Sequence, residues 1–170
     1  MDSKDLRALQ APLKEQYRAD PAAARVTLRA QGSVEDQQIF CNVESGQKWA
    51  RIGLHPLTGG SGVELCSGDL LLQALVACAG VTLRAVATAL DIPLSHARVS
   101  AEGDLDVRGT LALERGVSVG FGAIRLRFEL ETSATREQLD ALIKLTERYC
   151  VVFQTLNQKP ELSVSVQRSA

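Results

Sequence analysis

Aromatic side chains are scarce in this chain: one Trp, two Tyr and four Phe among 170 residues. That scarcity leaves no platform on which successive bases could stack. Neither sign of charge dominates, because 19 Lys and Arg face 20 Asp and Glu, for a net charge of -1. An electrostatic surface for nucleic acid or anionic lipid is therefore not expected. Long apolar runs are missing too. The longest, Leu70 to Leu90, is interrupted by Gln73, Thr82, Arg84 and Thr88, so no membrane span is expected. The start, Met1-Asp2-Ser3-Lys4-Asp5, lacks the apolar centre of a signal peptide, which leads to the expectation of a cytoplasmic protein. Cys41, Cys66, Cys78 and Cys150 contain no C-x-x-C pair, and His55 and His96 stand far apart, so neither a zinc site nor a disulfide framework is expected. The glycines at 59, 60 and 62 have no lysine beside them, which argues against a phosphate loop.

What the chain does have is an ordinary globular composition, 45% apolar and 23% charged. Leu6, Leu9, Leu13 and Tyr17 recur at helical spacing over residues 3–18, and Asp20-Pro21 should end that helix. Alternation predicts strands at 26–30 and 39–43, with a turn at Gly32–Asp36, and a third strand at 49–54. A helix follows from about 68 to 90, with Ser67 as candidate N-cap. Leu71, Leu72, Leu75, Val76, Ala79, Leu83, Val86 and Leu90 predict burial on most of its sides. Strands are expected at 97–108 and 120–131. The second of these alternates Ile124, Leu126, Phe128 and Leu130 with Arg125, Arg127 and Glu129, as in a half-exposed antiparallel sheet. Thr135 and Gln138 form a capping-box pattern opening a helix over 136–157, and Leu162, Val164 and Val166 predict a last strand. This order gives an α+β fold.

Two cysteines stand out because each lies in an apolar helical segment: Cys78 in Leu70–Leu83 and Cys150 in Leu145–Leu156. If those helices pack together, two thiols meet in an apolar pocket and can cycle between thiol and disulfide. The ordinary alternative is that each is a small buried hydrophobe. Cys41 alternates inward with Ile39 and Val43 and reads as core, whereas Cys66 precedes the helix in a loop where a secondary redox role is conceivable.

The residues Gly59-Gly60-Ser61-Gly62, followed by Ser67-Gly68-Asp69-Leu70-Leu71-Leu72-Gln73-Ala74-Leu75-Val76-Ala77-Cys78, resemble the central-helix signature of the OsmC/Ohr superfamily of thiol peroxidases. Tyr149-Cys150 followed by Thr155-Leu156 resembles the second cysteine motif of the same family. The resemblance covers roughly 24–168 and leaves an N-terminal helical extension, 1–20, outside it, within a single domain spanning 1–170. It implies an intertwined homodimer in which antiparallel sheets wrap two central helices. It also implies reduction of hydroperoxides, typically organic ones, in oxidative-stress defence, with Cys78 peroxidatic and Cys150 resolving. No flavin, haem or metal cofactor is implied, and a dithiol partner would regenerate the enzyme. Three departures are visible. The glutamate that the organic-hydroperoxide branch carries ten residues before its cysteine is Gly68, although Asp69 matches the acidic position of other branches. The loop arginine of that branch is absent from Gly32–Gln37, which instead carries Glu35 and Asp36. The common Cys-Pro-Val-Ser reads Cys150-Val151-Val152-Phe153.

A peroxide is attacked by the thiolate, and an apolar helix should raise the Cys78 pKa, so a compensating charge is required. Arg29 and Arg51 are the candidates, left undecided by the sequence. Arg84 projects from nearly the opposite face of its helix, and Asp69 could orient a guanidinium. His55, Leu71, Leu75 and Phe153 are the candidate pocket residues, His55 as a general acid toward the leaving alkoxide. The competing expectation is a non-catalytic small-molecule-binding or regulatory dimer on the same scaffold.

Overall fold

The computed structural model describes residues 1–34, 39–45 and 48–168. Helix α1 (Ser3–Ala19) opens with a capping box between Asp2 and Asp5 and ends at Asp20, whose side chain accepts from the Ala22 N–H in the 3-10 turn Pro21–Ala24. Four short strands follow, β1 (Gly32–Val34), β2 (Phe40–Ser45), β3 (Lys48–Gly53) and β4 (Leu65–Cys66), forming a sheet in that order. The first two pairings are antiparallel and the last is parallel. Helix α2 (Ser67–Ala89) leads to β5 (His96–Leu105), the short α3 (Val107–Thr110) and β6 (Phe121–Glu131). Strands β5 and β6 pair antiparallel with Ala97 opposite Leu130 and Ala101 opposite Leu126. Helices α4 (Arg136–Tyr149) and α5 (Val151–Asn157) complete an α+β fold.

The core lies between one face of α2 and the inner face of the β5–β6 ribbon. Leu83, Val86, Ala87, Ile92, Leu94 and Leu142 form one buried cluster, and Leu75, Ala79 and Cys150 form a second. Val99 and Phe128 touch both. The alternation read in β6 separates these apolar contacts from an outer charged face, where Arg125 meets Glu102 at 3.5 Å and Asp104 at 2.5 Å.

Several expectations are corrected. Residues 26–30 form no strand, and the strand lies later, at Gly32–Val34, inside what alternation marked as the turn. The rest of that expected turn, Glu35 and Asp36, falls outside the described residues. The N-cap of α2 is Cys66, without a side-chain cap bond, rather than Ser67. Burial of α2 is confined to Leu75, Ala79, Leu83, Val86 and Ala87, and Val81 on the other side is 74% exposed. Interruptions notwithstanding, α2 is the one helix among the described residues that is long and apolar enough to cross a membrane by length and composition. The core helix of a globular protein passes the same test, and this one packs its apolar face on β5, β6 and α4. The expected helix 136–157 breaks at Cys150, which adopts φ -73, ψ 106. Residues 160–168 form no strand, and Leu162, Val164 and Val166 are exposed.

Candidate functional site

The break at Cys150 builds the site. Cys150 is at once the C-cap of α4 and the N-cap of α5, and its extended backbone turns the chain between two helices. Its own N–H still reaches Thr146 O at 2.9 Å, and its carbonyl accepts from Gln154 N–H at 2.9 Å. The first residues of α5, Val152 and Phe153 among them, pack against the cluster that holds Cys150. In an unbroken helix the Glu147 carbonyl would accept from Val151 N–H. Here it accepts from the Gln154 side-chain amide at 2.8 Å.

Cys78 lies in the middle of α2 on the flank of the second cluster, half-buried, with Cys150 almost fully buried beside it. Both are free thiols packed in one cluster. Burial is the largest single influence on Cys78 and pushes its thiol up. It is outweighed by hydrogen bonds from the Val152 amide, the Cys150 thiol, the Val151 amide and the Thr82 hydroxyl, which together hold Cys78 below the ordinary cysteine range. Cys150 moves the opposite way. Burial raises it, and the neighbouring Cys78 sulfur adds to the rise through both hydrogen bonding and charge, against opposing bonds from the Phe153 and Val152 amides. Two chemically identical groups are thus made unequal in acidity, Cys78 shifted down and Cys150 shifted up.

Of the residues singled out in the sequence, Cys78, Cys150, Leu75 and Phe153 come together in one cluster. Others lie elsewhere in the single chain. Arg51 stacks over the Phe40 ring at 4.4 Å and acts electrostatically on Glu64, and Arg29 is exposed on the extended segment before β1. Neither is among the groups that perturb Cys78. Asp69 is exposed in the first turn of α2, and Leu71 is 38% exposed. His55 accepts from Leu57 N–H through Nδ1 at 3.1 Å, capping the 3-10 turn Pro56–Thr58. The glycine loop is conformational: Gly59 closes that turn at φ 93, and a Cβ on Gly60 would overlap the Leu54 carbonyl. Arg84 donates to Leu94 O at 2.8 Å. Cys66 sits half-buried at the start of α2, and Cys41 half-buried in β2. Among the described residues no group of three or more His, Cys, Asp or Glu could hold a metal.

Thr82 and the α5 amides were missed in the sequence. Thr82 had a signal, since it lies four residues after Cys78 and shares its helix face. The amides had none in their side chains.

An α+β chain with two cysteines beneath an antiparallel ribbon, one on a central helix and one at a helix joint, defines a class of fold and site. Residues 59–165 match the family described as OsmC-like protein, and the chain belongs to that family. No curated protein sequence matches it. Solved structures with the same fold include an OsmC-like protein from Mycoplasma pneumoniae, 16% identical, with a TM-score of 0.64, covering 79% of this chain and 89% of the other. An organic hydroperoxide resistance protein from Elizabethkingia anophelis is 17% identical with a TM-score of 0.62, over 80% of this chain and 91% of its own. The organic hydroperoxide resistance protein OsmC from Legionella pneumophila is 18% identical with a TM-score of 0.60, over 78% and 90%.

Proposed function

We propose that the protein is a cysteine-based hydroperoxide reductase acting on organic hydroperoxides. The observation that carries the reading is the contact between Cys78 and Cys150 with their acidities driven in opposite directions. Cys78 thiolate attacks the terminal peroxide oxygen. An S–O bond forms as the O–O bond breaks, and the departing alkoxide takes a proton to leave as alcohol. Cys150 then attacks the sulfenic sulfur, forming the disulfide and releasing water. An external dithiol reduces that disulfide by exchange, so two electrons reach the peroxide in each cycle. Leu75 and Phe153 pack with Cys78 and make its surroundings apolar.

The working unit in this reading is a homodimer. Val26, Leu28, Leu162, Val164 and Val166 are apolar, outside any strand and at least 77% exposed in one chain, as strand-forming side chains without a partner would be. Val81 on the outer face of α2 is also exposed. Arg29 lies on one of those segments, so any role for it at a thiolate is tied to the dimer.

The test is intact mass after an equimolar dose of cumene hydroperoxide. Wild type should lose two hydrogens as the disulfide forms. Cys150→Ser should stop at the stage of added oxygen, and Cys78→Ser should not react. A wild-type protein that neither gains oxygen nor loses hydrogen would leave a non-catalytic binding or regulatory dimer as the better reading.

A further inference from the structure

The chain turns at Cys150, and whatever fixes that turn decides where one of the two thiols sits. We propose that Gln154 is a positioning residue: its side-chain amide clamps α5 to the last turn of α4 and so sets the Cys150 sulfur against Cys78. The inference rests on reading the two thiols as a pair that closes to a disulfide, and it gives a role to a residue outside the residues that carry either cysteine motif.

Two backbone bonds hold the joint, and both end on Cys150. Its N–H donates to Thr146 O at 2.9 Å, which ties it to α4, and its carbonyl accepts from Gln154 N–H at 2.9 Å, which ties it to α5. The rotations about its own N–Cα and Cα–C bonds lie between those two ties. The chain can therefore pivot at Cys150 with both bonds intact, swinging the cysteine side chain and α5 relative to α4. The Gln154 side chain spans this hinge, because its Nε2 donates to the Glu147 carbonyl at 2.8 Å, from one helix to the other. That carbonyl is one of those that the end of α4 leaves without a partner in its own helix.

The frame around the hinge is firm. Helix α4 is anchored by the buried Leu142 and Thr146, and the Thr146 hydroxyl donates to Leu142 O at 2.8 Å. Cys78 belongs to α2, whose buried Leu75 and Ala79 share a cluster with Cys150. Val152 and Phe153 pack on that cluster too, but apolar packing is non-directional and does not fix an angle as a hydrogen bond does. Gln154 borders the same groove as Cys150, whereas Arg148, the long side chain beside it, turns onto the Tyr149 ring. The precision matters because a disulfide requires Cβ atoms about 3.5–4.5 Å apart, so a shift on the order of 1 Å separates a pair that closes from one that does not.

The readout is the effective concentration of the Cys78–Cys150 pair. Full-length protein is equilibrated over a series of ratios of reduced to oxidised glutathione and quenched in acid, and the Cys78–Cys150 disulfide is quantified by peptide mass spectrometry. In that exchange the two protein thiols reduce one oxidised glutathione, closing the protein disulfide and releasing two reduced glutathiones. Gln154→Met and Gln154→Glu keep the length of the side chain but offer no donor, the carboxylate being an acceptor only. Each should lower the effective concentration by about fivefold, the effect of one lost hydrogen bond. Gln154→Lys, with a donor on a longer stem, should stay near wild type. A role in stability alone would weaken the reduced and oxidised forms equally and leave the ratio where it was. Unchanged values in Gln154→Met and Gln154→Glu would therefore overturn the proposal. So would a loss in Gln154→Lys as large as in Gln154→Met, or a wild-type pair that stays reduced at every ratio. If Gln154→Met fails to fold, Gln154→Glu decides. No peroxide takes part, so a wild type that closes its disulfide with the expected losses in the variants, yet does not react with cumene hydroperoxide, would sink the peroxidase reading and leave this one standing.

Discussion

Residues before α2 and residues from α2 onward are built from similar elements but hold together differently. From α2 to α5, ten side chains, counting Thr146, are at most 9% exposed and interlock helix with sheet. Before α2, Ile52 at 8% is the one such residue among the described positions, although β1 to β4 are fully laddered and α1 is well capped. Backbone hydrogen bonds contribute only modestly to net stability, so a sheet without a buried face needs cover from elsewhere. The apolar residues of α1, Leu9, Leu13 and Tyr17, are likewise 39% or more exposed. The contrast places the self-sufficient core, and with it the thiol pair, in the second region. The first region, among its described residues, contributes only Ile52 to the buried set.

The largest effect should come from cutting into the self-sufficient core. Leu142 is 0% exposed and packs among Leu83, Val86, Ala87, Ile92 and Leu94. Leu142→Ala should cost about 2–5 kcal/mol in denaturant unfolding. A loss below about 1 kcal/mol would show that this cluster is not the core of the folded protein.

Next comes the exposed segment after α5, which contributes nothing to that core. Val164 is 94% exposed in the single chain, where a surface change should move stability by less than about 0.5 kcal/mol. If that segment pairs with a second copy, Val164→Asp buries a charge at the interface. Self-association should then weaken by about tenfold or more. Analytical ultracentrifugation over a dilution series separates the two outcomes, and an unaltered dimer constant would remove this segment from the interface.

Much of this contrast was legible beforehand, and what was not has a physical reason. The α1 and α2 periodicities, the Thr135–Gln138 box and the alternation of β6 are side-chain patterns, and each appears where it was read. The failures concern partners. Alternation at 26–30 and 162–166 reports strand-forming side chains but cannot say whether the other strand lies in the same chain. In the same way, the apolar circumference of α2 predicted burial without saying by what. The break at Cys150 carries no Gly or Pro to announce it, and Val151-Val152 continue the apolar pattern across it. The sequence points to a side-chain guanidinium as the charge beside Cys78, and neither Arg29 nor Arg51 is among the groups that perturb it. Two of the four groups that lower Cys78, at Val151 and Val152, are backbone amides, which every residue except proline carries alike.

The smallest effects offer a sharp comparison because one device occurs in both regions. Thr135 and Asp2 each head a capping box, Thr135 with Gln138 on α4 and Asp2 with Asp5 on α1. The local chemistry is alike: a side-chain oxygen accepts from the third residue's N–H, at 3.3 Å in α4 and 2.8 Å in α1, and the third residue's side chain reaches back. What differs is what each helix buries. Helix α4 contributes Leu142 and Thr146 to the interior, so fraying its start loosens the core, and Thr135→Ala should cost about 1 kcal/mol of global stability. Helix α1 buries nothing and reaches α2's end through the exposed Arg7–Asp91 pair at 3.4 Å. Asp2→Ala should therefore lower helicity at the N-terminus in amide exchange while leaving the main unfolding transition within about 0.5 kcal/mol. Equal losses from the two substitutions would mean that α1 is coupled to the core in solution. Since α1 buries no residue, that coupling would have to run through its exposed contacts with α2.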